Sequence, residues 1–137
     1  FRELFGGGHA QLRLDNEDNP LESNIDIIAQ PPGKKLQNIN LLSGGEKTMT
    51  AIALMFAVLK TKPTPFCILD EVEAALDDAN IERFAKYLQN FSEIQFALVT
   101  HQKVTMEYAD VLYGVTMPEQ GISRILSLKL GDKFDLD

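Results

Sequence analysis

The stretch from Leu41 to Lys60, LLSGGEKTMTAIALMFAVLK, constrains this chain more than any other. Ser43-Gly44-Gly45-Glu46 runs without a break into an apolar helical pattern, which is how a helix start is written. Ser43 is placed to cap free backbone N–H groups, and Glu46, three residues on, to reach back and close a capping box. Two glycines in the first helical turn are anomalous, because each costs roughly 1 kcal/mol against alanine. Something other than helix stability favours them. Lacking side chains, Gly44 and Gly45 leave the N–H groups at the positive end of the helix open to an anion, with the Ser43 hydroxyl beside them. The stretch reads as a phosphate-facing helix N-terminus. Met49, Ile52, Ala53, Phe56, Val58 and Leu59 make the helix behind it apolar nearly all round, so it is expected to be largely buried.

Downstream, Phe66-Cys67-Ile68-Leu69 is a short apolar run ending in Asp70-Glu71, the pattern of a buried strand in a parallel sheet covered on both faces. Asp77 or Asp78 can cap a helix reaching about Phe91, with Ile81, Phe84, Ala85, Leu88 and Phe91 on one face. A second apolar run, Phe96 to Val99, ends at Thr100-His101. The chain thus repeats buried strand, polar strand end and helix. In open α/β sheets ligands bind beyond the carboxyl ends of the strands, so Asp70, Glu71 and His101 are expected at one site.

The flanks are plainer. Phe1 to Phe5 is apolar and lacks a starting methionine, so the chain is expected to be cut from something longer. Gly6 to Gly8 break any helix. They do not make a phosphate loop, because His9-Ala10-Gln11 follows where Gly-Lys-Ser/Thr is required. A strand from Ala10 to Leu14, a loop at Asn16 to Pro20 and a strand from Ile25 to Ala29 form an antiparallel pair. Gly33-Lys34 resembles the end of a phosphate loop, yet Ile28 stands where glycine belongs and Lys35 where Ser or Thr belongs; no complete Walker A sequence exists in the chain. After a short helix from Lys103 to Ala109, strands from Val111 to Thr116 and Ile122 to Leu130 flank a hairpin loop at Met117 to Gly121, and Gly131 to Asp137 is expected to fray.

With 137 residues, 45% hydrophobic and 24% charged, the chain suits one globular domain rather than disorder. No apolar run approaches the roughly 20 residues of a membrane span, and no signal segment is present. Cys67 lies inside an apolar run and reads as packing in a reducing cytoplasm. A net charge of -7 argues against holding nucleic acid through the chain's own field. Lys34-Lys35 and Lys60 with Lys62 read as solvated surface lysines.

An LSGG helix start, a strand ending in Asp-Glu, a helix, and a strand ending in His together resemble the distal half of an ATP-binding-cassette ATPase. LLSGGEKTMTAIALMFAVLK, FCILDEVEAALDDAN, VTHQK and ADVLYGVTM are most similar to the C-terminal part of the ATPase head of bacterial structural maintenance of chromosomes (SMC) proteins, over nearly the whole chain from FGGGHAQLRL to ILSLKL. Glu73 departs from a frequent Asp and Lys47 from a frequent Arg, both conserving charge; Gln102 replaces a frequently basic residue.

The resemblance implies an α/β fold, one C-terminal lobe over 1–137 that carries signature, Walker B, D-loop and H-loop while the Walker A lobe is absent, with 1–5 ending a returning coiled coil. It implies a half-head in chromosome condensation and segregation, inactive alone and an ATPase when joined to the N-terminal half of the same head. Leu42, Ser43, Gly44, Gly45, Glu46 and Lys47 would meet ATP held by a second head in a homodimer, and Asp77 would lie in the loop crossing that interface. Asp70 would help hold Mg²⁺, Glu71 would polarise the attacking water, and His101 would touch the γ-phosphate. A kleisin subunit docking on 111–130, DNA reached through the full complex, no membrane, and a cytoplasmic, nucleoid-associated location complete the expectation. The alternatives are a module that mainly binds kleisin, or the distal half of another cassette ATPase, either a transporter subunit or a DNA-repair relative of the Rad50 or RecN type.

Overall fold

The computed structural model describes residues 1–129. The expected strand end at Leu130 and the frayed tail Gly131 to Asp137 lie outside the described residues. Helix α1 (Arg2–Phe5) buries Leu4 and Phe5 against the two long helices and stops at Gly6, whose φ is 69°. The chain then passes so close to the backbone at Gln30 that a Cβ on Gly8 would lie 2.3 Å from the Gln30 carbonyl oxygen, which only glycine tolerates. Strand β1 (His9–Leu14) pairs antiparallel with β2 (Ile25–Gln30), Ala10 opposite Ala29 and Leu12 opposite Ile27, as the sequence implies. A two-residue strand β3 (Gln37–Asn38) extends the sheet beyond β2.

Helix α2 (Gly44–Thr61) supplies much of the core. Its burial is one-sided rather than all-round: Met49, Ile52, Ala53, Phe56 and Leu59 recur at three- and four-residue spacing and are buried, whereas Val58 is 55% exposed. Helix α3 (Asp78–Leu88) covers that face with Ile81, Phe84 and Tyr87. Phe56 lies 5.0 Å from the Tyr87 ring and 5.2 Å from the Phe91 ring, centroid to centroid. Phe91 belongs to this cluster although α3 stops at Leu88, because a turn in which the Phe91 N–H donates to the Leu88 carbonyl folds it back. Lys60 is more than solvated surface: it pairs with Glu3 at 3.2 Å and lies over the Tyr87 ring, pinning α1 to the end of α2.

Strands β4 (Phe66–Asp70) and β5 (Gln95–Val99) run parallel with α3 as the crossover, Phe66 opposite Gln95 and Asp70 opposite Val99. The expected cover on both faces is not found. Leu69 is buried, but Phe66 and Ile68 are 62% and 67% exposed, since successive residues of a strand face opposite ways and the helices lie on one side only. After α4 (Lys103–Glu107), β6 (Val111–Glu119) and β7 (Ile122–Lys129) form an antiparallel hairpin that packs chiefly on itself. The expected loop shrinks to Gln120-Gly121, and β6 carries Met117, Pro118 and Glu119 as strand. A register shift between Thr116 and Glu119 accommodates Pro118, which has no N–H for the ladder. The fold is mixed α/β in three small sheets, of which only β4–β5 is parallel among the described residues.

Candidate functional site

Two polar constellations carry the candidate chemistry, one at the start of α2 and one at the ends of β4 and β5, and Gly45 of the first approaches the turn that follows β4. The first is the start of α2. Glu46 closes the expected capping box: its Oε2 accepts from the Ser43 backbone N–H at 3.0 Å and from the Ser43 hydroxyl at 2.8 Å. Lys34 Nζ lies 2.8 Å from the other oxygen, Oε1, and 2.9 Å from Oε2. The hydrogen bond from Lys34 is the main cause holding the Glu46 carboxyl below the usual glutamate range; desolvation opposes it and the Ser43 donors reinforce it. Lys34 is therefore a solvated lysine that also belongs to the helix start.

Around that box the residues divide. Ser43, Gly44 and Lys47 are exposed. A side chain on Gly44 would meet nothing within 4 Å, so no packing among the described residues requires glycine there. Gly45 sits on the turn after β4, where a Cβ would come within 3.4 Å of the Ala75 carbonyl oxygen. Leu42 is not available to a ligand: it is 5% exposed and its N–H donates to the Ile39 carbonyl, so it anchors the loop instead.

The second constellation follows from the parallel register. Asp70 is paired with Val99, and the Glu71 N–H continues the ladder by donating to the Val99 carbonyl at 2.9 Å. Glu71 has φ 48°, unusual for a residue with a side chain, and a turn in which its carbonyl accepts from the Ala74 N–H keeps it there. In this conformation Glu71 Oε1 meets His101 Nε2 across the strand ends. Both side chains remain open to solvent, as does Asp70. Asp77 caps α3: Oδ1 accepts from the Asn80 N–H at 2.9 Å and Oδ2 from the Asn80 side-chain amide at 3.0 Å.

The sequence marks Glu73 only as a charge-conserving departure from a frequent Asp and assigns it no role. Glu73 is 1% exposed, and its Oε1 accepts hydroxyl hydrogen bonds from Thr100 and from Thr105, the latter at 3.2 Å. The signal for its burial is a third carboxylate set among Val72, Ala74, Ala75 and Leu76, where a charge needs a partner to be buried.

Asp70, Glu71 and His101 thus gather at the ends of β4 and β5, while the start of α2 offers amides and a hydroxyl. Amides at a helix start suit a phosphate, and a carboxylate beside a histidine suits the orientation of water and the stabilisation of phosphoryl charge. Among the described residues no three His, Cys, Asp or Glu side chains cluster as a metal site. Asp70 fits the role of one oxygen donor to Mg²⁺ but cannot form a cage, which suits an ion that keeps water and phosphate in its shell.

Comparison with known proteins bears on this arrangement. A family model described as "RecF/RecN/SMC N terminal domain" matches residues 2–124. The chain is 64% identical over 131 residues to the chromosome partition protein Smc of Bacillus subtilis (strain 168), covering 95% of this chain and 11% of that protein. Its structure superposes with a TM-score of 0.86 on a chain from work on ATP-driven dimerization and DNA-stimulated activation of SMC ATPases, at 43% identity, covering 95% of this chain and 79% of that one. A further match, TM-score 0.85 at 43% identity, is an Smc head bound to the C-winged helix domain of ScpA; it covers 95% of this chain and 40% of that one.

Proposed function

Because the chain belongs to the RecF/RecN/SMC family, we propose that it is the C-terminal half of an SMC ATPase head, completing an ATP site in trans with Ser43, Gly44 and Gly45 and in cis with Asp70, Glu71 and His101. The contact of Glu71 with His101 at the ends of two parallel strands carries this reading. The matching family model is described as an N-terminal domain, so the C-terminal placement rests on the order of motifs: the LSGG helix start precedes the Asp-Glu strand, and no Walker A sequence is present. The chain spans 11% of the curated relative it matches, so ATPase activity, partners and location in the whole protein belong to the proposal.

The N-terminal half supplies the Walker A loop that binds ATP, and this chain alone does not hydrolyse it. In the joined head the Glu71 carboxylate orients and polarises the attacking water, and His101 leaves Glu71 to meet the γ-phosphate. Asp70 would hold Mg²⁺ through its water shell; the ion supplies charge neutralisation on the phosphates. The start of α2 faces the ATP of a second head, with Gly44 uncovered so that phosphate can approach the backbone, and the loop at Asp77 lies at that interface. Because the γ-phosphate joins two heads, its loss releases them. Phe1 to Phe5 ends a returning coiled coil, and the protein works in chromosome condensation and segregation, cytoplasmic and bound to the nucleoid with DNA held by the complete assembly.

A second reading draws on the β6–β7 hairpin, whose Tyr113, Val115 and Ile125 are exposed. That surface suits a kleisin partner, and the Smc head solved with the C-winged helix domain of ScpA supports it. Mixing the chain with its N-terminal complement tests the first reading: ATP hydrolysis should return. Co-purification with a kleisin while the mixture stays inactive would leave only the second.

A further inference from the structure

We infer that Glu73 is a positioning residue that fixes the backbone on both sides of His101 beside the turn bearing Glu71, acting through the Thr100 hydroxyl. This rests on the reading of Glu71 and His101 as hydrolytic residues. The Glu73 carboxylate is buried, two residues beyond Glu71, yet has no place in the chemistry assigned to its neighbours. Burying a carboxylate is costly unless its oxygens are satisfied, and here the donors are both hydroxyls brought in from distant sequence, Thr100 and Thr105.

What those hydroxyls carry is the histidine loop. Thr100 Oγ1 donates to Glu73 Oε1 and accepts the Gln102 N–H at 2.9 Å, so one hydroxyl ties the backbone on both sides of His101 to the turn that bears Glu71. The Glu71 N–H to Val99 carbonyl bond clamps the same two segments one step earlier. The His101 ring itself is exposed, with no packing to orient it, so its placement is inherited from this backbone. Thr105 differs. It anchors the first helical turn after the loop to Glu73 and does not bracket His101.

The two threonines therefore separate positioning from mere packing. Steady-state ATP hydrolysis is measured in the complete protein with wild type, Thr100→Val, Thr100→Ser, Thr105→Val and Glu71→Gln. Thr100→Val is expected to lower kcat about 10-fold or more while KM for ATP moves little, because a small misplacement of a reacting group costs rate rather than binding. Thr100→Ser restores kcat. Thr105→Val keeps kcat within about three-fold even where its unfolding midpoint falls as far as that of Thr100→Val. Equal losses in the two valine variants, or an unchanged kcat in Thr100→Val, would overturn the inference. Should Thr100→Val not fold, Thr100→Ala carries the same comparison. Rapid turnover by Glu71→Gln would instead remove the underlying reading, and an arrested Glu71→Gln beside an active Thr100→Val would remove this inference alone.

Discussion

The Glu71 carboxylate and the His101 imidazole, thirty residues apart in sequence, meet across the carboxyl ends of adjacent parallel strands. The contact occupies both groups, so on the proposed half-head reading His101 would exchange Glu71 for phosphate while Glu71 takes up water. Glu71→Gln keeps the shape and removes the charge that polarises water. In the complete protein we expect it to bind ATP normally and to turn over at least about 100-fold more slowly, with heads held together. ATPase assays beside size-exclusion of the ATP-bound protein check both halves of that expectation.

Ser43 is exposed at the start of α2, and its hydroxyl donates to Glu46 within the chain. An arginine there would fill the space beside Gly44 that a second molecule's phosphate is to enter. Ser43→Arg is expected to abolish ATP-dependent head pairing in the complete protein and to leave each head's own ATP affinity within about two-fold. Pairing at wild-type strength, by analytical ultracentrifugation, would show that α2 does not face another head.

Lys34 and Glu46 set a dependence on pH. The Glu46 carboxyl titrates below its ordinary value when folded, so the pair stabilises the protein fully above the ordinary glutamate range. That contribution is lost as the pH falls through this range and past the lowered folded value. Both side chains keep some exposure, which limits the pair to about 0.5 kcal/mol. Lys34→Met is expected to lower the unfolding midpoint of the head slightly at neutral pH, with the difference from wild type closing below about pH 4. A constant difference across pH would mean that Lys34 acts through packing of its stem.

Local chemistry made much of this legible. Ser43 and Glu46 announce the start of α2, Asp77 the start of α3, and the polar ends of two apolar runs place Glu71 and His101 together once parallel pairing is assumed. Long-range partners were not legible. Glu73 bonds to hydroxyls 27 and 32 residues away, and Lys34 reaches Glu46 across 12, so neither pair leaves a periodic trace. Val58, Phe66 and Ile68 failed for another reason: an apolar residue shows that a face is to be covered, not that this chain covers it. Pro118 looked like a loop residue because a bulge that tolerates it depends on the partner strand.

That uncovered face gives the sharpest test of the half-head reading. Phe66 and Ile68 on β4 and Val99 on β5 present apolar side chains away from the helices, on a two-stranded sheet whose outer edges meet no strand among the described residues. Such a surface calls for further strands or a cover. Ile68 is two-thirds exposed within this chain, so Ile68→Asp should alter its own stability by no more than about 0.5 kcal/mol. If the N-terminal half completes the sheet there, the same aspartate becomes a buried, unpaired charge, and joining the halves should weaken by about 3 kcal/mol or more, over 100-fold in affinity. Co-expressed halves carrying Ile68→Asp are expected to separate on affinity purification and to lack ATPase activity, while Val58→Asp, on the exposed side of α2, serves as the control. Equal recovery of both variants would show that the open face of β4 is not where the missing half binds.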